Sequence, residues 1–246
     1  MQHVDIGIVG GGIVGLTLAA ALKESSLSVA IIDKHPLSTA LGEKPTARVS
    51  AINQANIAAL QSLDAWQHLQ KDRANAYVAM HVWDKDSFGD IHFSCEEMGS
   101  EALGVIVENQ ALINALAQSV ESQANVQVFE SGIERVLSGP NQNMVMFDNN
   151  DALSCRLLIG ADGANSFVRQ QAGFPITFKD YEHTAIVANI TTALPHENVA
   201  RQAFTPTGPL ALLPMADPNV CSIVWSQTPD VAAKLIAIAT ATFAMP

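Results

Sequence analysis

Val4-Asp5-Ile6-Gly7-Ile8-Val9-Gly10-Gly11-Gly12-Ile13-Val14-Gly15 is the stretch on which the fold turns. Val4, Ile6, Ile8 and Val9 read as a short buried strand, and residues 16–22 continue as a helix of small and apolar side chains. Between them Gly10, Gly12 and Gly15 fit G-x-G-x-x-G, with a strand before and a helix after, which is the context this motif needs. Gly10 allows the tight turn, Gly12 leaves room for a pyrophosphate against the backbone, and Gly15 lets helix and strand pack closely. The helix start offers unpaired N–H groups and a positive dipole end to phosphates. A second apolar run, residues 27–32, ends in Asp33, 18 residues beyond Gly15, the usual place for an acid that binds a ribose hydroxyl pair. The same turn also occurs in plain βαβ units that hold no ligand. The flanking strands and Asp33 favour a dinucleotide, without separating NAD from FAD.

Composition narrows the class. The chain has 246 residues, room for one or two domains, and 48% are hydrophobic, which suits a sheet buried on both faces. Its net charge of −11 comes from 24 acids against 13 bases and argues against a nucleic-acid partner, which would want a basic face. Cys95, Cys155 and Cys221 are widely spaced and form no metal motif; they read as buried reduced thiols of a cytoplasmic protein. No basic segment precedes the first apolar stretch, so no signal peptide is expected. Residues 6–22 are apolar but glycine-broken and short for a membrane span. At most a peripheral membrane contact is expected.

Further along, residues 35–45 read as loop, and Arg48-Val49-Ser50-Ala51-Ile52 leads into a helical pattern over 53–69. Arg48 taken alone reads as a solvated loop arginine. Residues 77–84 alternate as a strand of an antiparallel sheet does, residues 85–90 turn, and residues 91–94 return. Such a hairpin starts a second sheet. Residues 110–122 carry helical spacing with Asn109 as a candidate N-cap. Residues 126–129 read as a parallel strand, 133–137 and 144–147 as a small antiparallel excursion, and 153–159 as a return to a buried strand. The architecture expected is one mostly parallel sheet of residues 4–9, 29–32, 126–129 and 153–159. Residues 77–84 should pair instead with strands after Tyr181.

That last strand runs into Gly160-Ala161-Asp162-Gly163-Ala164-Asn165-Ser166, with a helix expected near Phe167. Asp162 there can hydrogen-bond a cofactor, or simply serve an Asp-Gly turn as a cap. Beyond Tyr181, residues 184–191, 201–205, 210–213 and 221–226 read as short strands of an antiparallel sheet. Residues 231–243 read as a helix so apolar that it should be buried.

Together these pieces resemble the flavin-dependent aromatic hydroxylases typified by para-hydroxybenzoate hydroxylase. The glycine turn with Asp33, the Arg48 segment, and Gly160 to Ser166 followed by Val168-Arg169 carry the resemblance. Within the family, four stretches look most like the ubiquinone-biosynthesis branch: Arg48 to Asn53, Trp83 to Gly89, Ile106 to Asn109 and Cys221 to Ser226. The resemblance implies an α/β fold, a Rossmann-like FAD-binding domain with a parallel sheet plus an inserted, incomplete antiparallel-sheet substrate domain. It implies FAD-binding parts at 1–72 and 101–178 and substrate-side parts at 73–100 and 179–246. It settles FAD over NAD as the held cofactor, with NAD(P)H as a transient reductant. The implied activity is hydroxylation of a polyprenylated phenol by molecular oxygen through a flavin C4a-hydroperoxide. Other ubiquinone-biosynthesis proteins and a homo-oligomer are implied partners. By match to the family, Gly10, Gly12 and Gly15 face the pyrophosphate, and Asp33 the adenosine ribose. Arg48 lies near the cofactor phosphates, Asp162 and Gly163 serve the ribityl–pyrophosphate region, and Glu108 lies near the flavin. No side chain stands out as a nucleophile or metal ligand, as fits a hard step that belongs to the cofactor.

One departure is visible. Family members carry a third, C-terminal motif, a Gly-Asp and then a glycine-rich helix start, which this sequence lacks. The chain is therefore expected to be truncated and inactive alone. The alternatives are another FAD-dependent oxidase or reductase, and a non-catalytic fragment contacting a biosynthetic complex.

Overall fold

The structure, a computed structural model, describes residues 2–243. Its first elements are β1 (Gln2–Val9), α1 (Ile13–Ala21), β2 (Val29–Asp33), β3 (Val49–Asn53), α2 (Gln54–Ser62), β4 (Ala74–Tyr77), β5 (Ala79–Asp84) and β6 (Asp90–Ser94). Next come β7 (Gly104–Glu108), α3 (Asn109–Glu121), β8 (Val126–Glu130), β9 (Ile133–Ser138), β10 (Asn143–Phe147), β11 (Ala152–Gly160) and α4 (Phe167–Gln171). The last are β12 (Thr184–Thr191), β13 (Val199–Thr205), β14 (Gly208–Pro214), β15 (Val220–Gln227) and α5 (Pro229–Phe243). Two units result. One holds the chain up to Leu41, Ala58–Leu69 and Gln110–Thr177; the other holds Gly42–Ile57, Gln70–Asn109 and the chain from Phe178 onward.

The first unit is built on a six-stranded sheet, ordered β8-β2-β1-β11-β10-β9. The four apolar runs expected to share a parallel sheet do so: β2 pairs with β8 and β1, and β1 with β11, all parallel. β9 and β10 extend its edge as an antiparallel hairpin. A parallel strand covered on both faces reads as an unbroken apolar run, and the inner strand β2 is one over residues 29–32; β8 and the second half of β11 are less covered and carry Gln127 and Arg156. Val29, Ala30 and Ile31 are fully buried, and Val4, Val9, Ile32, Phe147, Leu153 and Cys155 share one core cluster.

At the far end of this sheet Asp5 accepts hydrogen bonds from the backbone and hydroxyl of Ser28 (2.9 and 2.8 Å) and from Arg156 Nη1 (3.0 Å). The Ser28 backbone bond, then its hydroxyl and Arg156, hold the Asp5 carboxyl at about 2, below its ordinary 3.8. A depressed folded-state pKa contributes stability that is present above the unfolded value and lost as pH falls through the folded one. Asp5→Asn is therefore expected to flatten the fall in urea midpoint between about pH 4 and pH 2. The check is the difference in midpoint between the two proteins across that window; a constant difference would refute the assignment.

The second unit holds two sheets. A six-stranded one runs β12-β15-β14-β13-β5-β6, and a three-stranded one runs β3-β7-β4. As expected, the 77–94 region pairs with a late strand, but three details differ. First, β5 joins β13 in parallel, within a sheet whose other pairs are antiparallel. Second, residues 77–84 are not one strand. Tyr77 closes β4 in the small sheet, opposite Gly104, while Ala79 opens β5 in the large one, opposite Ser94 and Val199. Side chains keep alternating through the change of partners, so a period-two pattern cannot reveal it. Third, β3 and β7, assigned from sequence to the FAD-binding parts, pair with each other in this unit. Tyr77, Ile106, Ala200 and Met215 form its core cluster.

Two helices also differ. The pattern over 53–69 yields α2 only to Ser62, because Asp64 takes a positive φ of 57°, and a 3-10 turn follows at Trp66–His68. α5 lies against β12 and β15 and buries Ala232, but leaves Ile236 and Ile238 50% and 64% exposed. A helix lying on a sheet covers one stripe only, so uniform apolarity did not mean uniform burial. No helix among the described residues is long and apolar enough to cross a membrane.

Candidate cofactor site

β1 ends at Val9, and the chain turns at Gly10, whose φ of +109° is closed to ordinary side chains. Gly10 N donates to Ile32 O (2.8 Å), tying the turn to β2. Ala161 N donates to Val9 O (2.7 Å), tying it to the second glycine turn. The two backbones come so close that a Cβ on Gly10 would overlap the Ala161 carbonyl. A Cβ on Gly15 would overlap the Gly10 carbonyl, which is the helix–strand approach expected of the third glycine. Gly12 is different: nothing lies within 4 Å of where its Cβ would be. That open face is what a pyrophosphate approaching the backbone requires. α1 starts just beyond it with no acidic residue in its first turn, so no charge there opposes an anion.

Asp33, at the end of β2, accepts from Gly11 N through Oδ2 (2.7 Å) and from His35 N through Oδ1 (3.0 Å). The acid therefore also shapes the glycine turn. Asp162 plays a matching part in the second turn. Its carboxylate accepts from the Ser166 hydroxyl, Phe167 N (2.6 Å) and Val168 N (3.2 Å), while Ser166 Oγ accepts from Arg169 N (3.0 Å). The capping role weighed from sequence is thus present. Gly163 takes a φ of +85° within this turn.

Gly10, Asp33 and Asp162 line one cavity of about 330 Å³. It lies at the carboxyl ends of parallel strands, where the chain leaves β1 toward β2 on one side and returns as β11 on the other. Such switch points are where open α/β sheets bind ligands. Sequence reasoning missed Ser131 and Gly132, which line the same cavity together with Asn165 of the second glycine turn. Ser131 N donates to Asp33 O (2.9 Å). The signal available was position: Ser131-Gly132 directly follow a parallel strand, β8.

Arg48 and Glu108 belong to the second unit. Arg48 is exposed, and its guanidinium has no hydrogen-bond or ion-pair partner among the described residues. Glu108 is 1% exposed; Oε2 accepts from Thr46 N (2.8 Å) and Oγ1 (3.0 Å), and Oε1 faces Arg73 Nη1 at 3.4 Å. Asn109, expected as a cap, is the first residue of α3, and its side-chain oxygen accepts from Ser50 Oγ (2.7 Å). Cys95, Cys155 and Cys221 are free and buried, and burial pushes the Cys155 and Cys221 thiols up. The described residues contain no cluster of three metal-ligating side chains.

Residues 3–235 match the family model described as an FAD binding domain. The chain belongs to that family. Its members' cofactor is FAD, and the open Gly12 face, the cavity and Asp33 fit the adenosine and pyrophosphate portion of that molecule. This FAD binding domain is 34% identical over 257 residues to the mitochondrial ubiquinone biosynthesis monooxygenase COQ6 of Drosophila melanogaster, covering 98% of this chain and 53% of that protein. It is 32% identical over 230 residues to the 3-demethoxyubiquinol 3-hydroxylase of Escherichia coli, covering 93% and 58%. The chain thus spans about half the length of the curated relatives it matches. Its fold is similar to that of pqsL, a probable FAD-dependent monooxygenase from Pseudomonas aeruginosa, with a TM-score of 0.78 at 19% identity over 96% of this chain and 64% of that one.

Proposed function

We propose that this chain holds FAD for a monooxygenase that hydroxylates the aromatic ring of a polyprenylated phenol in ubiquinone biosynthesis. The observation that carries the reading is similarity along nearly the whole chain to relatives named as ubiquinone-pathway monooxygenase and hydroxylase. In this reading Gly10, Gly12 and Gly15 form the pyrophosphate turn, and the first amides of α1 donate to it. Asp33 accepts from the adenosine ribose, while Asp162 keeps the second turn in shape so that its backbone, with Gly163, meets the cofactor. Arg48 contributes a cation toward the phosphates. When bound, FAD supplies reduction by NAD(P)H and reaction with oxygen. The chain's own work is to bind, orient and exclude water, and no side chain is assigned to the chemical step. Other ubiquinone-biosynthesis proteins are the partners in this reading. A reducing, cytoplasmic setting accords with three free buried cysteines.

The test uses the whole protein loaded with FAD, NAD(P)H, oxygen and a short-chain prenylphenol. NAD(P)H oxidation stimulated by the phenol, with a product one oxygen heavier, is the expected result. Flavin binding without any phenol-dependent oxidation would instead mark an oxidase or reductase.

A further inference from the structure

The segment from Gly42 to Arg48 has no regular secondary structure, and nearly all of it is exposed. Its backbone is nevertheless held at almost every step. Arg73 Nη2 donates to Gly42 O (2.5 Å), Asn189 Nδ2 to Pro45 O (2.9 Å) and Ser222 Oγ to Ala47 O (3.0 Å). Asn109 N donates to Arg48 O (3.0 Å). Glu108 takes both the amide and the hydroxyl of Thr46. The centre of this arrangement is the Glu108–Arg73 pair, whose side chains are 1% and 11% exposed. Each partner grips the segment at a different point, four residues apart. Asp72 Oδ2 lies 3.5 Å from Arg73 Nε. A buried carboxylate with three donors around it is compensated; with one partner removed, it is not. All these bonds go to the segment's main chain or to Thr46, and none engages the Arg48 guanidinium.

We infer that Glu108 and Arg73 are positioning residues, whose buried pair fixes the 42–48 backbone and so presents Arg48, already ordered, to an anionic group of the cofactor. The inference rests on the reading that Arg48 meets the cofactor phosphates. It replaces a flavin contact for Glu108 with an action exerted through Arg48. Ordering the segment in advance removes that cost from the binding step.

The test combines amide hydrogen exchange with a mutant cycle read by FAD titration. In Glu108→Ala, the peptide carrying Thr46 is expected to exchange about tenfold faster, with β1 amides unchanged. FAD affinity is expected to fall about tenfold in Glu108→Ala and by a similar factor in Arg48→Ala, with no further loss in the double variant. Glu108→Gln keeps an acceptor for Thr46 but leaves Arg73 without its buried carboxylate, and its FAD affinity is expected to lie between those of the parent and Glu108→Ala. Thr46→Val takes the place of Glu108→Ala in the cycle should that variant not fold. If Arg48→Ala leaves FAD affinity unchanged, the assignment of Arg48 falls and the inference with it. If Arg48→Ala weakens FAD but the two losses multiply, or if exchange rises equally throughout, Glu108 is merely structural and only the inference falls.

Discussion

Gly10→Ala is expected to lower the stability of the first unit by about 4 kcal/mol, whereas Gly12→Ala, two residues on, is expected to cost less than about 1 kcal/mol. Two independent penalties meet at Gly10. Its φ of +109° is a conformation that a side chain adopts only at about 1–3 kcal/mol. The added methyl would also run into the Ala161 carbonyl, and overpacking against backbone that cannot give costs about 1–3 kcal/mol more. That carbonyl cannot retreat freely, because Ala161 N is bonded to Val9 O. Gly12 has φ −81° and ψ −177°, which any residue adopts, and open space around its Cβ. The function should invert this order. A methyl on Gly12 occupies the face where the pyrophosphate approaches, so FAD affinity is expected to fall at least about tenfold in a protein of near-normal stability. Urea denaturation and FAD titration of the two variants check both halves. Equal stabilities would mean that the turns do not constrain each other, and unchanged affinity in Gly12→Ala would remove the pyrophosphate from that face.

Asp33→Ala is expected to weaken FAD binding by about 10–100-fold without unfolding the domain. A carboxylate offers about four acceptor positions. Two are taken, by Gly11 N and His35 N, which leaves capacity for a pair of ribose hydroxyls. Hydrogen bonds to a charged acceptor are worth about 1.5–3 kcal/mol, and each 1.4 kcal/mol is tenfold in affinity. The loss of the Gly11 bond adds a smaller effect, because the glycine turn is then held only by its neighbouring strands. Asp33→Asn keeps an acceptor and should lie between. A dissociation constant for FAD that does not move in Asp33→Ala, with an intact circular-dichroism melt, would show that the acid serves the turn alone.

Much of the first unit was legible in the sequence because parallel strands advertise themselves. Residues 29–32 are a continuous apolar run, residues 153–159 are apolar apart from Ser154 and Arg156, and the glycines between strand and helix name their own turns. Asp162 was legible only in part, since a cap and a cofactor contact demand the same residue at the same place. The second unit hid more. Its parallel β5–β13 pair joins residues far apart in sequence, and no local pattern marks which strand a neighbour is. Glu108 stood in an apolar run, and its partners Thr46 and Arg73 lie 62 and 35 residues away. Spacing gives no hint of a buried pair built over such separations. The lining residues Ser131 and Gly132 carry no motif and take their importance solely from the strand they follow.

The break at Val78 has a consequence for how this chain tolerates change. Val78 N donates to Asn198 O (2.9 Å), and its carbonyl accepts from Cys95 N (2.8 Å), so the residue between β4 and β5 is gripped on both sides. One extended run therefore serves two sheets with no slack between them. Adding or deleting a single residue here would turn every side chain of β5 to the opposite face while β4 stayed in place. The turn between β9 and β10, where Gly139 N bonds Gln142 O, could absorb the same insertion as a longer loop. Along residues 74–84, then, the residue count must be preserved as well as the buried side chains of Tyr77 and Ala79, and an insertion scan would find there a gap in the tolerated positions.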